Sequence, residues 1–463
     1  MAKSVAEGSK AGLDMLHGPL LGKIFMFALP LIAAGVLQQS FNAVDVAVVG
    51  RFAGSHALAA VGSNGPVISL IVNLFVGLSV GVNVVIANYV GSRNDSGVRA
   101  AVATSAVLAL ASGLVMLVAG LAVAGPILRA LDTPEEVLPL AETYLRLYAL
   151  GMPFMMIYNF GSAILRSVGD TRRPFYSLVA AGIVNVGLNF FFVLGLGMNV
   201  DGVAIATVIS NAVNAAVIVL ILVKEKSAVR LDLRAMRMAA KELRKIVAIG
   251  LPAGLQGMVF SVSNVFVLSA INSFGAACSA GSAVAVNFEF YCYFVISAFA
   301  QAAVAFTSQN YGAGNIERCR RIFRISLFWG TVVSAVCNLL MAWRHEAFIG
   351  LFTDDPSVAA YAATRMSWAL AFQFIATSYE VSGACMRGIG YSATPMVLTV
   401  FGTCFVRLAW VFALPHLPWA GFRELIMIYP VTWIITGIMV TTAYFIVRRK
   451  AFALVSPPAA GRA

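Results

Sequence analysis

The stretch LPLIAAGVLQQSFNAVDVAVVGR, Leu29–Arg51, decides the fold of this chain. It is long enough to cross a bilayer, since a helix spanning the ~30 Å hydrocarbon layer needs about 20 mostly apolar residues. It also carries Gln38, Asn42 and Asp45 at steps of four and three, which places them on one face of a helix. A carboxylate within a span costs roughly 2.5–3.5 kcal/mol, so a functional role is the first hypothesis for Asp45. We therefore expect this polar stripe to face protein or a water-filled cavity.

The composition of the whole chain is that of a polytopic membrane protein. Of its 463 residues, 60% are hydrophobic and 11% are charged, whereas soluble domains average ~25% charged residues. The six cysteines form no CxxC pair and mostly lie in apolar runs, which argues against a disulfide framework or a metal site. The polar N-terminal residues contain no apolar signal core, so we expect the first span to remain as an anchor.

Apolar runs between polar breaks predict an all-α integral membrane protein with twelve transmembrane helices. The predicted spans are 24–49, 57–87, 98–124, 137–165, 175–197, 202–223, 246–270, 280–310, 322–343, 357–386, 394–414 and 424–447. Many small residues lie within these spans, as is typical of closely packed membrane helices.

Lysine and arginine residues are distributed unequally between the two sides of the predicted membrane. With twelve spans both termini share one side, and that side receives 25 of the 32 basic residues against six, with Arg407 inside the eleventh span. By the positive-inside rule, this bias places both termini in the cytoplasm. The net charge of +12 is then explained by topology and contact with anionic lipids, so no nucleic-acid partner is expected.

The chain repeats itself with a shift of about 222 residues. Leu29-Pro30 falls on Leu251-Pro252, and RSVGDTRRP from Arg166 matches RGIGYSATP from Arg387 in its Arg, Gly and Pro positions. Each repeat holds six spans, so the halves enter the membrane in the same orientation and form two six-helix bundles related by a pseudo-two-fold axis. The predicted organisation is an N-terminal segment 1–23, a first bundle 24–223, a basic linker 224–245, expected to be a solvated or interfacial helix, a second bundle 246–447 and a tail 448–463.

The Leu-Pro opening of each half, the turns NYVGSRN and QNYGAGN after the second and eighth spans, and LRSVGDTRRP after the fourth resemble one known family. The sequence resembles the MATE (multidrug and toxic compound extrusion) transporters, on their DinF-like side. This resemblance implies two six-helix bundles in a V, and efflux of amphipathic, often cationic compounds driven by inward flow of H⁺ or Na⁺. It also implies a multi-pass protein of a bacterial plasma membrane.

The ion site of the family's first bundle can be carried over by motif. Its Asn-x-x-Asp matches Asn42 and Asp45, and its Gly-x-Ala-x-Ala-Thr ends at Thr207. In its fifth span the family has an Asn followed four residues later by an acid. The Asn matches Asn185, but Asn189 stands at the position of the acid, so the second carboxylate is missing in this sequence. One acid favours a proton over Na⁺ as the coupling ion, because a hard cation prefers several oxygen ligands including anionic ones. A Na⁺ ion held by Asp45 and amide oxygens remains the alternative.

Proton exchange at Asp45 also agrees with simple electrostatics. A low dielectric disfavours a charged carboxylate, whereas amide donors stabilise it, so a residue subject to both influences is suited to gain and lose a proton. For the Asn and Thr residues, the alternative is hydrogen-bonded contact between packed helices, which averages only ~0.6 kcal/mol.

The second half has its own charged residues. Glu289, Glu380 and Arg407 lie in the eighth, tenth and eleventh spans. One interpretation of these charges is a structural ion pair between Glu380 and Arg407. The other is that Glu289 or Glu380 attracts a cationic substrate or binds a second proton, and that Tyr291 and Tyr293 stack on the cation. Gln38 is a further candidate for substrate contact.

These observations predict a secondary multidrug antiporter that works by alternating access. The alternative is a related exporter or flippase of lipid-linked or other amphipathic cargo, which would require several basic residues in a central cleft. No clustered nucleophile and base lie within the spans, so no enzyme activity is expected. The expected partners are small-molecule substrates and membrane lipids, with no cofactor beyond the coupling ion and a monomeric state.

Overall fold

The computed structural model describes residues 12–130, 134–418 and 420–454, and this part of the chain consists of helices, turns and loops. Ten of its helices are long and apolar enough to span a membrane. An eleventh span forms if Leu138–Leu150 and Met152–Ser167, which meet at a 45° bend, are counted as one. The all-helical membrane fold expected from the sequence is therefore confirmed.

The helices of the first half are numbered here in chain order. They are α1 Leu20–Val48, α2 Ser55–Gly91, α3 Asp95–Ala130, α4 Leu138–Leu150, α5 Met152–Ser167, α6 Arg172–Asn189 and α7 Val200–Lys224. Short π-helical segments, Val49–Ala53 and Phe190–Gly195, continue α1 and α6.

The second half continues the numbering. Its helices are α8 Ala240–Asn272, α9 Ala276–Gly312, α10 Ile316–Trp343, α11 His345–Ile349, α12 Pro356–Trp368, α13 Thr377–Gly388, α14 Ala393–Thr399, α15 Val406–Ala413 and α16 Phe422–Leu454. A π-helical segment, Val400–Phe405, joins α14 to α15, and a 3₁₀ turn, Leu414–His416, follows α15.

The tenth predicted span is not one continuous α-helix. It consists of α12 and α13 joined by a 3₁₀ segment, Leu370–Ala376. The Asn338 side chain of α10 donates to the Leu370 carbonyl at 2.6 Å and to Gln373 Oε1 at 3.2 Å. Polar side chains of this kind let a helix break at membrane depth, because they satisfy backbone groups that the change of helix type leaves without partners.

The internal repeat is visible in the backbone. Gly54 and Gly275, 221 residues apart, have φ values of 90° and 101° immediately before α2 and α9. Gly169 and Gly390 have the same spacing and φ values of 85° and 94°. Residues with a side chain rarely adopt such angles. The same turns therefore occur at matching places in both halves.

Two compact units make up the fold. The first contains residues 12–14 and Ala33–Gly254, and the second contains Met15–Ile32 and the residues from Leu255 onward. The first part of α1 thus packs with the second unit, and the first part of α8 packs with the first. Each change of unit follows a proline within the helix, Pro30 in α1 and Pro252 in α8.

Small residues allow close helix packing inside the first unit. A Cβ atom added to Gly77 of α2 would lie 2.1 Å from the backbone nitrogen of Gly254 in α8. A Cβ on Gly254 would in turn lie 2.1 Å from the Leu74 carbonyl oxygen. The two backbones therefore touch, as is common where membrane helices cross at glycine.

The basic linker does not form the helix that the sequence led us to expect. α7 ends at Lys224 and α8 begins at Ala240, with turns and loop between them. The Leu231 amide donates to the Leu222 carbonyl at 3.0 Å, and Val229 and Leu231 are buried. The linker therefore folds back on α7, because burying these apolar side chains outweighs continuing an exposed helix.

Candidate functional site

Asp45 lies near the end of α1 and makes its main polar contact with α6. The Asn189 side-chain amide donates a hydrogen bond to Asp45 Oδ1. The same amide group is 3.3 Å from Asn185 Oδ1, one helical turn earlier. Asn185 and Asn189 are buried, whereas Asp45 is half-buried. The structure thus joins three of the predicted ion-site residues in one chain of hydrogen bonds.

A glycine allows α1 and α6 to approach closely enough for this contact. A Cβ atom on Gly182 of α6 would lie 1.7 Å from the Phe41 ring of α1, so no other residue fits without a shift. Asn189 is the last residue of α6 before the π-helical segment Phe190–Gly195. Such π-helical turns frequently occur at functional sites.

Tyr144 and Tyr148 of α4 pack beside this site, although the sequence pattern did not indicate them. Their rings stack with centroids 6.0 Å apart. They pack in the hydrophobic cluster that includes Val44 and Val48 of α1. Their spacing of four residues in an apolar span was the available signal.

The other predicted members of the first site do not join the hydrogen-bonded chain. Asn42 and Gln38 are exposed on α1, and neither bonds to Asp45 in the part of the chain that the structure describes. Thr207 donates to the Val203 carbonyl of its own helix at 2.9 Å. The polar stripe read from the sequence therefore divides, with Asp45 directed at α6 and two amides left at the surface of α1.

Glu289 of α9 forms a buried ion pair with Arg365 of α12. Arg365 Nε and Nη2 donate to the two carboxylate oxygens at 2.6 and 3.0 Å. Arg365 also donates to the Tyr429 hydroxyl at 3.4 Å. Arg365 is one of the six basic residues that the charge count places on the non-cytoplasmic side, yet it lies inside the predicted span 357–386. That position within an apolar span was the available signal for a buried partner of Glu289.

Arg407 of α15 does not pair with Glu380, so that expectation was wrong. Arg407 Nη2 donates to Thr432 Oγ1 at 3.3 Å, and its guanidinium carbon lies 4.2 Å from the centre of the Tyr429 ring. The Tyr293 hydroxyl donates to Glu380 Oε1 at 3.2 Å. The two residues do not pair because Arg407 faces α16, whereas Glu380 contacts α9.

Tyr291 contributes to packing in the second unit. Its ring packs against the hydrophobic cluster that contains Phe288, Cys292 and Met366.

In the described residues, no group of three or more His, Cys, Asp or Glu side chains lies close enough to hold a metal ion.

Comparison with known proteins agrees with the duplication and the fold. The MatE family model matches residues 30–191 and again residues 252–412. Probable multidrug resistance protein YoeA of Bacillus subtilis is 26% identical over 432 residues, 92% of this chain and 93% of the relative. An FAD transporter of Shewanella oneidensis is 25% identical over 354 residues, 74% of this chain and 77% of the relative.

Solved structures give the same result at the level of the fold. A MOP superfamily transporter from Pyrococcus furiosus matches with a TM-score of 0.89 at 24% identity, and the match covers 99% of this chain and 100% of that one. The layout of twelve spans in two bundles fits this fold. The family model matches once in each half, and the two matches together cover more than half of the sequence. The chain therefore belongs to the MatE family of membrane transporters.

Proposed function

We propose that this protein is a secondary multidrug antiporter, which exports amphipathic compounds across a bacterial plasma membrane in exchange for protons. Membership of a transporter family and relatives named as multidrug resistance proteins support the efflux role. The hydrogen bond from Asn189 to the Asp45 carboxylate supports the assignment of Asp45 as the coupling residue.

In this mechanism the charge of Asp45 controls its contact with α6. The ionised carboxylate accepts the Asn189 amide hydrogen, and this bond to a charged acceptor holds α1 against α6. Protonation removes the charge and weakens the bond, so the local packing of the two helices changes. Tyr144 and Tyr148 pack with Val44 and Val48 of α1 in an apolar cluster, and in this mechanism the low dielectric of that cluster strengthens the effect of the Asp45 charge.

A proton suits this site better than Na⁺. Asn189 presents its N–H group to Asp45, whereas a cation would need oxygen atoms on every side. Asn189 stands where part of the family has a second carboxylate, so the site offers one negative charge. Asp45 with the amide oxygens of Asn185 and Asn189 is the oxygen set that a Na⁺ ion would have to use.

Transport by purified protein in proteoliposomes tests the proposal. We expect a pH gradient to drive export of an amphipathic cation, and the Asp45→Asn variant to lose at least about tenfold of that activity because it cannot release a proton. Asp232→Asn, an exposed acid-to-amide change in the linker, is the matched control and should retain full activity.

Two results would count against this function. Full gradient-driven export by Asp45→Asn would remove that residue from the mechanism. Export driven by a Na⁺ gradient alone would replace the proton with Na⁺ as the coupling ion.

A second candidate is export or flipping of lipid-linked or other anionic amphipathic cargo. The observation that favours it is the pair of buried arginines, Arg365 and Arg407, in the second unit. Because Glu289 already neutralises Arg365, we rank this function second. Competition between lipid-linked and cationic substrates in the same vesicles separates the two. We further propose that both termini lie in the cytoplasm, on the basis of the charge bias, and that the protein acts as a monomer.

A further inference from the structure

Among the described residues of the second unit, two guanidinium groups and one carboxylate are buried. Arg365 and Arg407 are 4% and 3% exposed, and Glu289 is 9% exposed. Both oxygens of Glu289 bind Arg365. Arg407 takes part in no ion pair among residues 12–130, 134–418 and 420–454. Arg407 is therefore a deeply buried positive charge with no directly paired carboxylate in the described part of the unit.

The groups that contact Arg407 directly are neutral, although Arg365 also lies against the Tyr429 ring, 5.2 Å from its centre. Its Nη2 bonds to Thr432 Oγ1, whose own hydrogen points to the Ile428 and Tyr429 carbonyls at 2.8 and 2.9 Å. The Tyr429 ring lies against the guanidinium group. The Arg407 Nε atom is buried and has no hydrogen-bond partner in the described structure. These contacts position the side chain without cancelling its charge.

An isolated charge in a low-dielectric interior is costly, and proteins compensate by pairing it. The rigid fork of a guanidinium group binds a carboxylate or another small anion through neighbouring N–H groups. Arg407 Nε is such a donor with nothing to bind. The Tyr429 hydroxyl accepts from Arg365 at 3.4 Å, and its own hydrogen has no acceptor among the described residues. A second donor is therefore available on the same tyrosine whose ring contacts Arg407.

We infer that the second unit contains a binding site for a small monovalent anionic group, centred on Arg407 and completed by the Tyr429 hydroxyl. The anionic group is a free halide ion or the carboxylate of a substrate. The site is distinct from the Asp45 network, which lies in the first unit. It does not depend on the coupling ion, so its test and the test of the proposed antiport are independent.

Thermal unfolding of the purified full chain tests the free-anion source. Chloride or bromide replaces gluconate at constant ionic strength. If halide binds, the wild-type midpoint rises and saturates, because a ligand of the folded state stabilises it by mass action. Arg407→Gln should lose this response, yet unfold in gluconate at or above the wild-type temperature, since it removes an unpaired buried charge. Arg407→Lys should retain part of the response.

Binding of tetramethylrhodamine and of its methyl ester, followed by fluorescence anisotropy in gluconate, tests the substrate-carboxylate source. If Arg407 receives that carboxylate, the acid binds at least about tenfold tighter than the ester, and Arg407→Gln removes the difference. The matched control is Arg423→Gln, which changes an exposed arginine stacked on Trp368 in the same unit. It should leave both responses unchanged.

Tyr429→Phe keeps the ring and removes the hydroxyl, so it should weaken whichever response is present even if the Arg407 variants do not fold. Dependence of either response on Arg407 or on the Tyr429 hydroxyl supports the site and identifies its source. Wild-type protein that responds neither to halide nor to the carboxylate overturns the inference. So does a response that these variants leave intact.

Discussion

Both oxygens of the Glu289 carboxylate accept hydrogen bonds from a single guanidinium group, that of Arg365. This two-point geometry is the strongest form of ion pair that side chains make. Burial also makes each partner depend on the other, because either one alone would be an uncompensated charge in the interior of the second unit. The pair therefore fixes α9 against α12 while leaving no net charge.

Removing one partner should be far more damaging than removing both. Arg365→Ala leaves Glu289 buried and unpaired, so we expect it to lower the free energy of unfolding by about 3–5 kcal/mol. The double variant Glu289→Gln/Arg365→Met should recover most of that loss. Thermal unfolding in detergent measures both, and a double variant as unstable as the single one would contradict this account.

At the residue scale, the sequence identified charges better than it identified their partners. Asp45 was predictable, because an acid in an apolar span must meet polar groups on a neighbouring helix. The resemblance to the family's motif then indicated Asn185 and Asn189 as its partners. The partner of Glu289 was not predicted, since it depends on how α12 is rotated against α9. A helix rotation of this kind is set by packing across the bundle, which the chain's local pattern does not encode.

The crossing of α2 and α8 gives a test at the element scale. Gly254→Ala should destabilise the protein by about 1–3 kcal/mol and reduce transport, because a methyl group there meets the Leu74 carbonyl at 2.1 Å. Gly187→Ala on α6 is the matched control, since nothing lies within 4 Å of its added Cβ. That variant should be neutral or slightly stabilising. Equal effects of the two changes on the unfolding midpoint would argue against a close crossing.

The end of α7 supplies a prediction about pH. Burial raises the pKa of Glu225, but Arg173, which donates to Glu225 Oε2 at 2.7 Å, and the amides of Lys226 and Ser227 outweigh it. The pKa of Glu225 is therefore held below its ordinary value of 4.5. A lowered pKa in the folded state means that the stabilisation is complete above the ordinary value and is lost as the pH falls through the folded value.

Glu225→Gln should accordingly lower the free energy of unfolding by about 1–3 kcal/mol at neutral pH, through the lost charged contact. The difference from wild type should close only when the pH falls well below 4.5. Unfolding midpoints of both proteins across that range provide the measurement. If the difference between the two unfolding midpoints disappeared near neutral pH, the Arg173 contact would not be holding the Glu225 carboxylate in its charged form.

At the element scale, the spans were predictable and their interruptions were not. Apolar length defines a span such as α3 or α10 directly. The 3₁₀ segment Leu370–Ala376 forms where Asn338 of another helix binds a backbone carbonyl, and that contact joins residues 32 positions apart. The linker turns depend in the same way on Val229 and Leu231 finding a place to be buried.

The orientation of the whole molecule is a prediction from charge. Because 25 basic residues fall on one predicted side, we expect that side to be cytoplasmic. A green fluorescent protein fused to the C-terminus should fluoresce in cells, and alkaline phosphatase fused at the same point should be inactive. Phosphatase inserted near Gly54, in the connection between α1 and α2, should be active. The reverse pattern would invert the topology.

The two packing units also constrain how the chain can be assembled. Residues 15–32 are synthesised long before the unit with which they pack, which otherwise begins at Leu255. This segment must therefore remain without its final neighbours while residues 33–254 are made. The opposite holds for residues 240–254, which are made last in their unit and pack with helices that were inserted earlier. A gene cut between the two repeats should consequently yield fragments that mature when expressed together and are degraded when expressed alone.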